Sequence, residues 1–172
     1  YKVLNSADYG NVPQNRERIY IVGFKDKNVF EKFRFPKQKK LNVKITDLLE
    51  KQADEYFYYH KSKYYPQLKE EMTNKDTVYQ WRRKYVRENK SNLCPTLTAN
   101  MGTGGHNVPL IIDSKDIRKM TPRECARFQG YDENFIFSEN MANSHLYKQI
   151  GNSVTVSVIE AIAKEIRKAL DV

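Results

Sequence analysis

Cysteine, glycine, histidine and long apolar runs are all scarce in this chain, and each shortage excludes something. No apolar stretch approaches the roughly 20 residues of a membrane-spanning helix, so no membrane partner is expected. Cysteine is limited to Cys94 and Cys125. Two are too few for a disulfide framework and show no metal-ligand spacing. A reducing, cytoplasmic location is the default. The histidines, His60, His106 and His145, stand far apart, so no metal site is expected. P-loop, zincin, Ser-His-Asp and paired-carboxylate patterns are absent. No signal-peptide pattern opens the chain. It begins at Tyr1 with a strand-like run, and reads as a piece of something longer.

Charge is what the chain has in excess. Its 172 residues hold 30 Lys and Arg against 21 Asp and Glu, a formal charge of +9. That balance favours a polyanionic partner, nucleic acid before an anionic membrane surface. Lys25 to Lys44 carries eight basic and two acidic residues and suggests an exposed connection. Tyr56 to Tyr65 interleaves five tyrosines and Phe57 with His60, Lys61 and Lys63. Such a stretch can stack on bases, or form a small core with snorkelling lysines. Thr77 to Lys90 holds five basic residues and one Glu, and suggests one strand with a basic face.

Glycine is concentrated where it is used. Three of the seven glycines, Gly102, Gly104 and Gly105, fall within four positions. The β-like run Thr96-Leu97-Thr98-Ala99 leads in and Val108 to Ile112 leads out, so a hairpin with a glycine-rich turn is expected. A loop lying against a polyanion is the other reading. Near the start, Val3-Leu4 and Arg18–Phe24 read as strands around the turn Asp8–Pro13, the second as a buried one. Arg16 and Arg18 are two apart, which in an extended segment puts both on one face; a solvated strand end is the alternative. Thr121-Pro122-Arg123-Glu124 is a capping box with proline at the first helical position, and Gly130 is a stop signal. Val154, Val158, Ile159, Ile162, Ala163, Ile166 and Ala169 follow helical spacing to the C-terminus, with Asn152 or Ser153 as the expected N-cap.

Three segments together resemble the carboxy-terminal part of the DNA cytosine-5 methyltransferases. Gln14-Asn15-Arg16-Glu17-Arg18 resembles the family's Gln-x-Arg-x-Arg motif. Arg118 to Tyr131 resembles the ninth motif, and Tyr147-Lys148-Gln149-Ile150-Gly151-Asn152-Ser153-Val154 the tenth. Their order and spacing match the family, with a basic segment between the first and second.

The resemblance implies an α+β chain: a mostly β target recognition domain flanked by partial α/β elements, a strand pair and a C-terminal helix, of a Rossmann-like S-adenosylmethionine-dependent methyltransferase domain. Residues 1–45 would be the edge of the catalytic domain, 46–113 the target recognition domain, 114–146 the ninth-motif helix and hinge, and 147–172 the tenth motif and returning helix. Arg18 would help hold the extruded cytosine, with Arg16 beside it. Thr96 would touch a phosphate next to the flipped nucleotide. Thr98, Gly102, Gly104, Gly105 and His106 would follow on the DNA-facing loop. Arg82, Arg83 and Arg87 would be the recognition-loop arginines. Asn152 and Ser153 would close the S-adenosylmethionine pocket.

The departures bear on the role. The family's nucleophile is a cysteine after a proline, and here Cys94 precedes Pro95 while Cys125 lies inside the ninth-motif helix. The Phe-x-Gly-x-Gly cofactor loop and the Glu-Asn-Val acid motif are also absent. The expectation is therefore a fragment or small subunit of a split enzyme, inactive alone, whose amino-terminal partner carries the nucleophile. With it the chain would recognise duplex DNA for restriction-modification methylation at carbon 5 of cytosine, in a bacterial cytoplasm. A free-standing, non-catalytic DNA-binding module is the competing reading, and an RNA-binding protein a third.

Overall fold

The computed structural model describes residues 1–104 and 106–171. Its first sheet pairs β1 (Lys2–Asn5) with β2 (Glu17–Tyr20), antiparallel, Val3 opposite Ile19. A five-residue helix, α1 (Ser6–Gly10), stands between them where the turn chemistry suggested only a loop. Asn5 explains it, since its side chain accepts from the Ala7 amide and caps the helix. Leu4 and Tyr9 pack against Val158 and Ile162 of the last helix, α6 (Val156–Leu170), so the two ends of the chain share one core.

A short helix, α2 (Lys27–Lys32), and the basic connection lead to a 3-10 turn at Ile45–Leu48. Helix α3 (Tyr65–Glu71) follows. The second sheet holds β3 (Tyr79–Trp81), β4 (Val86–Glu88), β5 (Pro109–Ile112) and β6 (Ile117–Lys119) in the order β4-β3-β5-β6, all antiparallel. Side chains alternate across a sheet. Tyr79, Leu110 and Ile117 meet Leu68 of α3 and its C-cap Met72 on one face. Val78 and Ile111 enter the larger core with Met101, Met120, Phe128, Tyr147 and Ile150 on the other. The β5–β6 pairing runs across residue 113.

Helix α4 (Pro122–Phe128) forms as its capping box dictates: Thr121 accepts from the Glu124 amide, and Glu124 accepts in return from the Thr121 amide. It ends before Gly130, whose φ is +80°.

Four further local expectations are corrected. Arg18–Phe24 is not one buried strand: β2 ends at Tyr20, and Ile19 and Ile21 are exposed on the open side of the two-stranded sheet. Thr77–Lys90 is a hairpin of β3 and β4, turning at Arg82–Tyr85 with Arg83 at φ 66°. Thr96–Ala99 is no strand and the glycine stretch no hairpin, because β5 pairs with β3 and β6 instead. Side chains bind that segment's backbone in place of a ladder. Lastly, Asn152 and Ser153 do not cap the final helix. They end another one, α5 (Asn143–Asn152), with Ser153 as its C-cap, and Thr155 is the N-cap of α6.

Candidate functional site

The motif residues converge on one buried polar node. Gln14 and Gln129 are wholly buried. The Gln14 amide donates to Phe128 O at 2.7 Å and accepts from Leu97 N at 3.1 Å. Gln129 donates to Ile150 O at 3.0 Å and accepts from the Thr155 hydroxyl at 3.2 Å. That hydroxyl also shares a 2.7 Å hydrogen bond with Ser6, which is why it does not cap α6. Leaving one such buried group unpaired costs about 1–3 kcal/mol.

Arg16 completes the node. It is 3% exposed and donates to Leu97 O at 2.7 Å, Gly151 O at 3.1 Å and Ser153 O at 2.7 Å. Its Nε has no partner, and among the described residues it makes no ion pair. Burial first, then repulsion from Arg18, pulls its pKa down to about 10, with Tyr20 opposing slightly. The side chain stays charged at neutral pH. Arg16 therefore ties the strand that carries Arg18 to both Thr96-Leu97 and the turn at Asn152–Ser153. Arg18 is half-buried, and donates to Glu17 O. Asn152 is exposed, and the half-buried Ser153 hydroxyl donates to Ile150 O.

Close approach to α5 requires glycine at two points. A Cβ on Gly151 would stand 2.3 Å from the Thr98 carbonyl carbon, so only glycine lets that chain cross the end of α5. A Cβ on Gly102 would meet the Tyr147 ring at 2.3 Å. The shape of Gly102 is thus accounted for by packing on α5. Gly104, at φ +90°, has open space around it. Gly105 lies outside the described residues.

Outside the node, a cleft of about 700 Å³ runs between the hairpin and the Thr96 segment. Arg87, Lys90, Tyr85, Asn15 and Thr96 line it. Thr96 donates to Asn15 O at 2.7 Å. Thr98 and Asn107 both donate to the Asn100 side chain, and Thr103 donates to Asn100 O, so Asn100 organises the loop that ends in Gly104 and His106. The structure thus brings Arg87 and Thr96 together, and leaves Arg82 and Arg83 on the hairpin turn. Gln14 and Gln129 stood inside the quoted motifs, yet nothing local marks a glutamine as inward-facing. Gly151 stood there too, but its neighbour is some 50 residues away in sequence.

Neither cysteine is a candidate nucleophile. Both are buried, and burial pushes both thiols well above their ordinary range. Among the described residues no cluster of His, Cys, Asp or Glu is placed to hold a metal ion, and no helix is long and apolar enough to cross a membrane.

One face of the first sheet is left open among the described residues. Tyr1, Val3, Ile19 and Ile21 are 53–86% exposed. Their alternation and the Val3–Ile19 pairing place them on the side away from Leu4 and α6.

Residues 1–168 match the family model described as C-5 cytosine-specific DNA methylase. The chain belongs to that family. Among curated relatives, the type II methyltransferase M.Bsp6I of Bacillus sp. (strain RFL6) is 58% identical, over 99% of this chain and 55% of its own length. M.DsaV of Dactylococcopsis salina is 36% identical, over 99% and 48%. This methylase-family chain spans about half the length of the curated relatives it matches. The crystal structure of S. pombe Dnmt2 methyltransferase superposes with a TM-score of 0.65 at 19% identity, over 99% of this chain and 56% of that one. That likeness shows the fold, mixed α and β with two small sheets.

Proposed function

We propose that this chain is the recognising and closing part of a DNA cytosine-5 methyltransferase of restriction-modification type, working on duplex DNA in a bacterial cytoplasm. The observation that carries the reading is Arg16, which holds the arginine motif, Thr96-Leu97 and the Asn152–Ser153 turn as one unit. The bare face of β1–β2 supports it, since Val3, Ile19 and Ile21 are suited to an amino-terminal catalytic part that brings the Pro-Cys nucleophile. A free-standing DNA-binding module has no use for that face.

The division of labour follows from chemistry. Carbon 5 of cytosine is a poor nucleophile until a thiolate adds at the neighbouring carbon, and the base must first leave the duplex. Arg18, at the outer side of the node, holds the extruded base, and Arg16 keeps its strand in place. Thr96 takes a phosphate, with Thr98, Gly102, Gly104, Gly105 and His106 on the adjoining loop. Arg87, Arg82 and Arg83 read base edges, where a bidentate contact to guanine gives about 1–3 kcal/mol of discrimination. Residues 46–113 form the recognition domain, 114–146 hinge it, and 1–45 with 147–172 rejoin the catalytic domain.

Exposed Asn152 and half-buried Ser153, at the break between α5 and α6, fit the closing edge of an S-adenosylmethionine pocket. They offer an amide and a hydroxyl. The chemistry supplied by that cofactor when bound is an activated methyl group.

Mixing the chain with the amino-terminal part and following labelled methyl transfer to duplex DNA tests the proposal. Activity of the pair, and none of either part alone, is expected. Folded, associated parts without activity would refute it, and a monodisperse chain that binds duplex tightly by itself would favour the free-standing module.

A further inference from the structure

We propose that the recognition domain carries a second base-binding site, a pocket for one nucleobase unstacked from the bound duplex and distinct from the target cytosine. The inference rests on the reading of the chain as a DNA-recognising part. The pocket, about 290 Å³, opens between the tyrosine-rich segment, β3 and the glycine loop. Tyr56, Tyr64 and Trp81 form its walls, over a floor that includes the fully buried Leu68. The Tyr64 and Trp81 rings lie 5.0 Å apart, inclined by 35°.

Its chemistry selects the occupant. Tyr56 is 62% and Tyr64 38% exposed, and both rings line one depression instead of being scattered singly over the surface. Among the described residues of the lining Lys119 is the sole charged one, and its ammonium sits 4.1 Å from the centre of the Tyr56 ring. Lys63 is similarly placed over Tyr64, at 5.2 Å. Aromatic walls with cations and no carboxylate suit a flat ring tethered to an anion, which is a nucleotide. The volume lies at the lower end of small-molecule sites, enough for a single base.

Position agrees with chemistry. Trp81 runs directly into the Arg82–Arg83 turn. Gly104, on the rim, belongs to the loop that begins at Thr98, and its open surroundings let a backbone come close. Both elements proposed to face DNA therefore lend a wall to the pocket. Arg18, beside which the target cytosine is proposed to lie, is not in its lining.

The test uses the complete methyltransferase and duplexes of its recognition sequence with 5-iodouracil substituted at successive positions. Photocrosslinks located by peptide mass spectrometry are expected at Tyr56, Tyr64 or Trp81, from one position outside the target base. Tyr64→Ala, at a partly exposed ring, should weaken duplex binding about 5- to 150-fold, the range of one lost stacking partner. Tyr64→Phe keeps the ring and should bind within about twofold of the parent. Lys119→Gln should lower the salt dependence of binding. Crosslinks confined to other residues, with Tyr64→Ala binding like the parent, would overturn the pocket while methylation persists. An enzyme that neither binds nor methylates duplex DNA would overturn the pocket and the reading beneath it together.

Discussion

Arg16 and Arg118 are both buried, and they are held in opposite ways. Arg118 is wholly buried and donates to Asp113 at 2.5 Å and to both oxygens of Glu124 at 2.7 and 2.8 Å. Burial opposes its charge, but those carboxylates outweigh burial and raise its pKa above the ordinary arginine value. Among the described residues Arg16 donates to backbone carbonyl oxygens alone, and its pKa is lowered. Arg118 is neutralised inside the fold. Arg16 keeps a positive charge with no ion-pair partner among the described residues where the arginine motif, the Thr96 segment and the α5–α6 turn meet. Arg118 joins the second sheet to α4 and is architecture. Arg16 joins surfaces proposed to meet DNA and cofactor.

The comparison can be broken most forcefully at Arg118. Arg118→Met strands two buried carboxylates, and should cost about 3–5 kcal/mol in urea unfolding. Replacing Arg118 and Glu124 together by apolar residues should recover part of that loss. Arg16→Gln should cost less, about 1.5–3 kcal/mol, as expected for lost charge-assisted hydrogen bonds. Methyl transfer by the reconstituted enzyme should fall further than that loss explains. Equal effects of the two substitutions on activity, once stability is corrected for, would erase the distinction.

Gly151→Ala probes the joint from the other side. Its Cβ would collide with the Thr98 backbone, and overpacking of this kind costs about 1–3 kcal/mol. The damage should be local to the Thr96 segment. Thermal unfolding and duplex affinity, measured together, should both decline.

The mildest prediction concerns acid. Burial alone would raise the Asp113 carboxyl. The backbone amides of Asp116 and Lys115, the Tyr58 hydroxyl and Arg118 together hold it below its usual value. Asp116 is lowered as well, against its own burial, by Tyr65, the Ile117 amide and Lys69. A carboxylate with a depressed folded pKa contributes stability that is present above its unfolded value, about 3.9, and is lost as pH falls through the folded value. The stability of the chain should therefore drop below about pH 4. Asp113→Asn should flatten that drop in an acid titration followed by circular dichroism.

The architectural arginine's surroundings were the more legible in sequence. Thr121, Pro122, Glu124 and Gly130 announce α4 through contacts within one helix turn, and the structure places the helix there. The last helix was visible from its apolar spacing. What surrounds Arg16 was not, because its partners Leu97 and Ser153 are 81 and 137 residues away. The same reason hid α5. Its Gly151 resembles a breaker but is required by the Thr98–Ala99 backbone crossing it. Thr96–Ala99 has β-like composition, yet the backbone groups of Leu97 go to the Gln14 and Arg16 side chains. Position within motifs pointed to Arg16 and Arg18 as expected site residues, while Gln14, Gln129 and Thr155, which form the buried polar node, emerged only from the packing.

The most direct test of the central claim is Arg18→Ala in the reconstituted enzyme. Arg18 is half-buried, donates to Glu17 O of its own strand, and makes no ion pair among the described residues. Removing it should abolish methyl transfer while leaving folding and salt-dependent duplex affinity nearly unchanged. An unfolded variant, or one that still methylates DNA at the parent rate, would contradict the account.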